Sequence, residues 1–173
     1  PVESAGTYVP GGRHPMVAAP AMSIVPAKVA GVDRVITSAP PQDDGTIQSA
    51  QLYAMDQAGA DEIYCMGGVQ AIGAMAFGTH SIEQVSKITG PGNIFTTEAK
   101  RQVYGYVGID FLAGPTEVCI VTDSSTSPEL LATDILGQAE HDPNSRPVLI
   151  STDEQTARRA MEEVDSQLPG LKT

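Results

Sequence analysis

The stretch Glu62-Ile63-Tyr64-Cys65-Met66-Gly67-Gly68-Val69-Gln70-Ala71-Ile72-Gly73-Ala74-Met75-Ala76-Phe77 decides how the whole chain is read. Glu62 to Met66 reads as a strand and Gly67-Gly68 as a sharp turn. Val69 to Phe77 reads as a helix, apolar nearly all round and therefore expected to be buried. Toward the N-terminus the same unit recurs. Thr7 to Pro10 is short and β-like, and Pro10-Gly11-Gly12 ends it. Residues 16–30 are apolar and Ala-rich, hence helical, with Pro20 and Pro26 expected to kink or split the helix. Arg34 to Ala39 is the next strand. Ile47, Ala50, Ala54 and Ala58 then recur at helical spacing, and Gly59 ends that helix.

Toward the C-terminus, Gln84 to Thr89 is a weaker strand. Gly90-Pro91-Gly92 follows, and Asn93 is a good cap for a helix running to about Tyr104. Gly105 to Gly114 is hinge-like, with few helix or strand signals. Glu117 to Thr122 is the best strand in the chain. After it come Ser127 as cap, Pro128 at the first helical position and Glu129 in the first turn. Val148 to Ser151 is another strand, and Glu154 to Leu168 an amphipathic helix. Strands thus alternate with helices, and the first four recur roughly every 23–28 residues, the length of a βα unit. The expected fold is α/β, with parallel sheets. A break near Ala113–Thr116 divides a four-strand unit, residues 1–115, from the start of a second, residues 116–173.

Composition bounds the function. Hydrophobic residues make up 41% and charged residues 18%, which is a globular and not a disordered balance. The formal net charge of −11 repels phosphate backbones and anionic lipid, so neither nucleic acid nor a membrane is an expected partner. No apolar run approaches the ~20 residues of a membrane span, and no signal-peptide pattern is present; the expected location is cytoplasmic. Cys65 and Cys119 each lie in an apolar run and are expected to be buried thiols in a reducing compartment.

In a parallel sheet every strand-to-helix loop lies at one carboxyl edge, where ligands bind. Three such loops carry glycine: Pro10-Gly11-Gly12, Gly67-Gly68 and Gly90-Pro91-Gly92-Asn93. Each alone is a tight turn; three on one edge suggest a shared crevice. None is a standard nucleotide fingerprint. Gln70 reads either as a buried amide satisfying local backbone or as a contact. Asn93 reads first as a helix cap, and Tyr8 as core or as a ring that stacks on another. Leu136-Gly137-Gln138-Ala139-Glu140-His141 closes the helix after the strongest strand. Gln138 and His141 are three apart and share a helix face. His141 suits a helix C-terminus, and with Gln138 would make half of a zinc site. His80 reads as a surface residue, whereas His14 stands beside the first glycine loop.

Several segments together resemble histidinol dehydrogenase: Tyr8-Val-Pro-Gly-Gly12, Pro26-Ala-Lys-Val-Ala-Gly31, Gly67-Gly-Val-Gln-Ala-Ile72, Gly90-Pro-Gly-Asn93, Glu98-Ala-Lys-Arg-Gln-Val103, Ala113-Gly-Pro-Thr-Glu-Val118 and Gln138-Ala-Glu-His141. They occur in the family's order at about its spacing. The resemblance implies a Rossmann-like parallel sheet with helices on both faces, plus the start of a second Rossmann-like unit. It implies a zinc-dependent, NAD-linked alcohol dehydrogenase that oxidises L-histidinol to L-histidine through the aldehyde, usually as a homodimer. By the same resemblance Tyr8, Gln70 and Asn93 match NAD-contacting positions, and Gln138 and His141 match two Zn2+ ligands that also face the substrate. Thr116 stands where the family often has a substrate-contacting Ser. The catalytic Glu-His pair and the remaining metal ligands would lie beyond Thr173, so no catalytic residue is assigned here and this chain alone is not expected to turn over.

One segment departs from that pattern. Arg13-His14-Pro15-Met16 replaces a small, hydroxyl-rich stretch and looks more like a paralogous branch similar to sulfopropanediol dehydrogenase. There Arg13 would pair with a substrate sulfonate, or else be a solvated loop residue. A truncated paralogue that binds a nucleotide or a partner without catalysis is the competing reading.

Overall fold

The computed structural model describes residues 2–11, 16–112, 116–141 and 143–171. The chain divides into two compact units, Pro1–Gly114 and Pro115–Thr173.

Unit 1 runs β1 (Ser4–Tyr8), α1 (Ala18–Val29), β2 (Arg34–Ala39), α2 (Ser49–Gln57), β3 (Glu62–Cys65), α3 (Gly68–Phe77), β4 (Lys87–Thr89), α4 (Ile94–Val103) and β5 (Gly108–Ile109). The five strands form one sheet in the order β3-β2-β1-β4-β5, every neighbouring pair parallel. The chain builds outward from β1 to β2 and β3, then crosses back to lay β4 and β5 on the other side. β1 and β4 are therefore where strand order reverses, the place where parallel sheets open a crevice at their carboxyl edge.

Alternation along the strands feeds two cores. On β2, Val35 and Ala39 join Val9, Ile24 and Met55, whereas Ile36 joins Tyr8, Ile72, Met75 and Ile88. The first cluster lies under α1 and α2, the second under α3. Helices thus cover both faces, and the fold is the Rossmann-like α/β sheet expected.

Unit 2 pairs β6 (Glu117–Thr122) in parallel with β7 (Arg146–Ser151), joined by α5 (Pro128–Ala139) and followed by α6 (Glu154–Gln167). Leu131, Ala132, Leu136 and Ala160 bury the helix side. Ser127 Oγ accepts from the Leu130 N–H and Pro128 opens the helix, the start that the sequence signals predict. This is the second, smaller α/β unit.

Several expectations change. α1 is continuous through Pro26; Pro20 sits in its first turn, where an N–H has no partner within the helix to lose. The hinge-like stretch contains β5, two residues long and too short to show alternation. Val69 and Phe77 at the ends of α3 are exposed, so that helix is not buried all round. Neither cysteine is buried. Cys65 ends an edge strand and donates to the Gly45 carbonyl at 3.3 Å. Cys119 points with Val121, Val148 and Ile150 to the exposed face of the two-stranded sheet. Among the described residues no helix is long and apolar enough to cross a membrane.

At the opposite, amino edge of unit 1 an ion pair ties β2 to β3. Arg34 Nε donates to Glu62 Oε1 at 2.6 Å, and the Tyr64 hydroxyl donates to Glu62 Oε2. The Arg34 hydrogen bond, then the Tyr64 one, hold the Glu62 carboxyl below its ordinary 4.5. A carboxyl depressed by folding stabilises fully above its unfolded value, and that stabilisation is lost as pH falls through the lower folded value. The pair is partly exposed, Arg34 by 22% and Glu62 by 37%, so its worth is roughly 1 kcal/mol or less. Glu62→Gln is expected to lower the melting temperature slightly near neutral pH and to shrink the fall of the melting temperature across the acid range; thermal melting at a series of pH values checks both.

Candidate functional site

The carboxyl ends of β1 and β4 lie side by side, with Thr7 in register with Thr89. Tyr8 ends β1 and Gly90 follows β4. Gly90 has φ +111°, and a methyl group on it would overlap the Tyr8 carbonyl oxygen. Only glycine lets the two strand ends close this tightly. Gly92 lies against the Tyr8 ring: a methyl there would come 3.5 Å from Tyr8 Cε1. Asn93 then caps α4, its Oδ1 accepting the Phe95 and Thr96 N–H groups at 3.0 Å each.

The loop into α3 meets Tyr8 from the other side. The Gly68 N–H donates to the Tyr8 hydroxyl at 3.2 Å. A methyl on Gly68, whose φ is +68°, would come 2.8 Å from Gln70 Oε1. Tyr8, only 5% exposed, thus lies between two glycine loops: its hydroxyl accepts from Gly68, and its ring faces the space beside Gly92. Gln70 is exposed in the first turn of α3 and is not a buried amide. Tyr8, Gln70 and Asn93 therefore share the carboxyl edge of unit 1, where Gly11 and Gly67 both press on Pro40. Gly12, Arg13 and His14 lie outside the described residues.

Sequence reasoning missed what holds these loops. Among the described residues of unit 1 the buried polar side chains are Thr7, Thr37, Ser38, Gln51, Thr96 and Lys100. Four of them donate to loop carbonyls at this edge. Gln51 Nε2 reaches Pro10 at 2.9 Å, Thr96 Oγ1 reaches Asn93 at 2.9 Å, Lys100 Nζ reaches Gly90 at 3.0 Å, and Ser38 Oγ reaches Met66. Carbonyls drawn into the protein do not project lone pairs at a ligand. Neither α3 nor α4 has an acidic residue in its first turn, in a chain of net charge −11. The Gly68 N–H at the start of α3 is taken by the Tyr8 hydroxyl, and the Phe95 and Thr96 N–H groups at the start of α4 by the Asn93 cap. The available sequence signal was polar residues at core spacing: Gln51 in α2 and Lys100 in α4.

The remaining sequence-predicted residues belong to unit 2. The Thr116 carbonyl accepts the Arg146 N–H at 3.3 Å. Gln138 is half-buried in the last turn of α5, while His141 is exposed and falls past the helix end at Ala139. The His141 N–H donates to the Gln138 carbonyl at 3.3 Å, a turn rather than a further helical step.

The zinc expectation is corrected by this donor set. Among the described residues no group of three or more His, Cys, Asp and Glu is placed to hold a metal ion. One carboxamide and one imidazole do not make a closed or a catalytic zinc shell. The zinc-dependent form of the expected reaction, and Gln138 and His141 as metal ligands, are withdrawn for this chain. NAD fares differently: the strand reversal at β1 and β4, with the starts of α3 and α4 beside it, is where a Rossmann-like sheet can receive a dinucleotide.

The family model described as histidinol dehydrogenase matches residues 1–173. A histidinol dehydrogenase homolog from Shouchella clausii is 56% identical over 173 residues, covering 100% of this chain and 41% of the relative. A histidinol dehydrogenase from Methanothermobacter thermautotrophicus is 49% identical over 168 residues, covering 97% and 39%. The crystal structure of histidinol dehydrogenase from Elizabethkingia anophelis superposes with a TM-score of 0.95 at 42% identity, covering 99% of this chain and 40% of that one. The chain spans about two fifths of the length of the curated relatives it matches.

The closure at Gly90 is open to a direct test. Gly31 also has a positive φ, +77°, but nothing lies within 4 Å of the space a methyl would fill. Gly31→Ala should therefore carry backbone strain alone, about 1 kcal/mol. Gly90→Ala adds a collision with main chain and should lose a further ~2 kcal/mol. Urea unfolding of the two variants measures the difference; equal losses would mean that β1 and β4 do not close at Tyr8.

Proposed function

The chain belongs to the histidinol dehydrogenase family, and we propose that unit 1 is the dinucleotide-binding domain of an NAD-linked dehydrogenase acting on a small organic alcohol. The observation that carries the reading is the reversal of strand order at β1 and β4, flanked by the Tyr8 ring on one side and by Gly90 to Asn93 on the other. Such a reversal in a parallel sheet opens a crevice, and here Gly90 lets the loop after β4 close onto the end of β1 beside it.

In this reading Tyr8 offers a ring edge, and Gln70 and Asn93 offer carboxamides at the rims of the two loops. NAD, when bound, supplies the hydride acceptor. The protein's part is to hold the pyrophosphate at the starts of α3 and α4 and to keep main-chain carbonyls out of its way. Thr116, Gln138 and His141 of unit 2 are the substrate-side groups: a hydroxyl, an amide and an imidazole suited to hydrogen-bond a polar alcohol. The complete protein would work as a homodimer in a cytoplasmic setting, where exposed Cys65 and Cys119 stay reduced.

The test uses NADH fluorescence with this chain. Asn93→Asp keeps a cap as good as asparagine but sets a carboxylate beside the bound anion. NADH should bind wild type, and the variant about tenfold more weakly, with the melting temperature little changed. If NADH binds neither this chain nor the complete protein, the dinucleotide reading is wrong. If Asn93→Asp binds as wild type does, the anion does not sit at α4.

A further inference from the structure

Lys100 is 3% exposed, and the hydrogen bonds its ammonium makes to described residues end beside the crevice. Its ammonium donates to the Gly90 carbonyl at 3.0 Å, to the Phe111 carbonyl at 3.2 Å and to Asp110 Oδ1. Asp110 in turn accepts the Gly90 N–H on Oδ2 at 2.8 Å. Both main-chain polar groups of Gly90 are therefore held by one ion pair. Asp110 follows β5, a strand of only two residues, and its own N–H reaches the Ile88 carbonyl of β4 at 3.2 Å.

A buried ion pair is a poor device for stability alone, since desolvation offsets most of the attraction and apolar replacements are often neutral. What the pair does supply is a fixed place for the loop after β4. We propose that Lys100 and Asp110 are positioning residues for the dinucleotide: they set the loop Gly90 to Asn93 at the depth where its glycines can receive the pyrophosphate, and they act through Gly90 without touching the ligand. This inference rests on the dinucleotide reading given above.

Stability and affinity separate the possibilities. Lys100→Met alone leaves the Asp110 charge without its partner and is expected to lower the melting temperature markedly. The double variant K100M/D110A removes both charges and should recover at least half of that loss. A purely structural pair would recover NADH affinity along with stability. A positioning pair would not: the double variant should still bind NADH about tenfold more weakly than wild type. R34M/E62Q at the amino edge is the control, expected to lower stability and leave NADH affinity unchanged.

A folded double variant with wild-type NADH affinity overturns the positioning role while the dinucleotide reading stands. Wild type that does not bind NADH overturns both. Should K100M/D110A not fold, the isosteric Asp110→Asn serves in its place. It weakens the hold on Lys100 without changing shape, and about threefold weaker NADH binding is expected; an unchanged affinity in that folded variant overturns the proposal.

Discussion

The Lys100 ammonium and the Asp110 carboxylate hold the N–H and the carbonyl of Gly90 between them, and the rest of the carboxyl edge depends on where that puts the chain. β4 has three residues and β5 two, too few ladder bonds to fix the loop that follows. The ion pair does so instead, and it presses Gly90 onto the Tyr8 carbonyl so closely that no side chain fits between them. Tyr8 is thereby placed, and with it the hydrogen bond to Gly68 that sets the start of α3. A chain of contacts thus runs from one buried cation, across the strand reversal, to the second glycine loop.

Gln51, Ser38 and Thr96 repeat the arrangement on a smaller scale. Each is buried, and each draws in the carbonyl of a loop residue at the same edge. An unpaired buried polar group costs about 1–3 kcal/mol, so these side chains hold only if the loops stay where they are. The network is fixed by mutual satisfaction rather than by any single strong bond. It holds the carbonyls of Pro10, Met66, Gly90 and Asn93 in place at the carboxyl edge.

Much of this was legible in the sequence, and the rest failed for physical reasons. The α/β alternation, the caps at Asn93 and Ser127 and the glycine punctuation predict the elements well, because each is local. β5 left no signal, since two residues cannot alternate and its partners are supplied by β4. An apolar run does not bury Cys65 and Cys119, because β3 is an edge strand and β6 presents one open face. Of the two readings of Gln70, a buried amide or a contact, its exposure in the first turn of α3 removes the first. The zinc expectation rested on the spacing of Gln138 and His141 and on the resemblance; among the described residues no group of three or more His, Cys, Asp and Glu is placed to bear it out. The buried donors Gln51 and Lys100 stand at core spacing, but that signal is weak because a lysine or a glutamine in a helix normally marks its solvent face.

Hydrogen exchange of this chain with and without NAD tests the central claim most directly. If the crevice at β1 and β4 holds the dinucleotide, saturating NAD should slow exchange at the starts of α3 and α4, in the segments 67–71 and 90–96, and leave the amino edge around Arg34 and Glu62 unchanged. Protection confined to unit 2 or to the amino edge, or none in a chain saturated with NAD, would contradict the account.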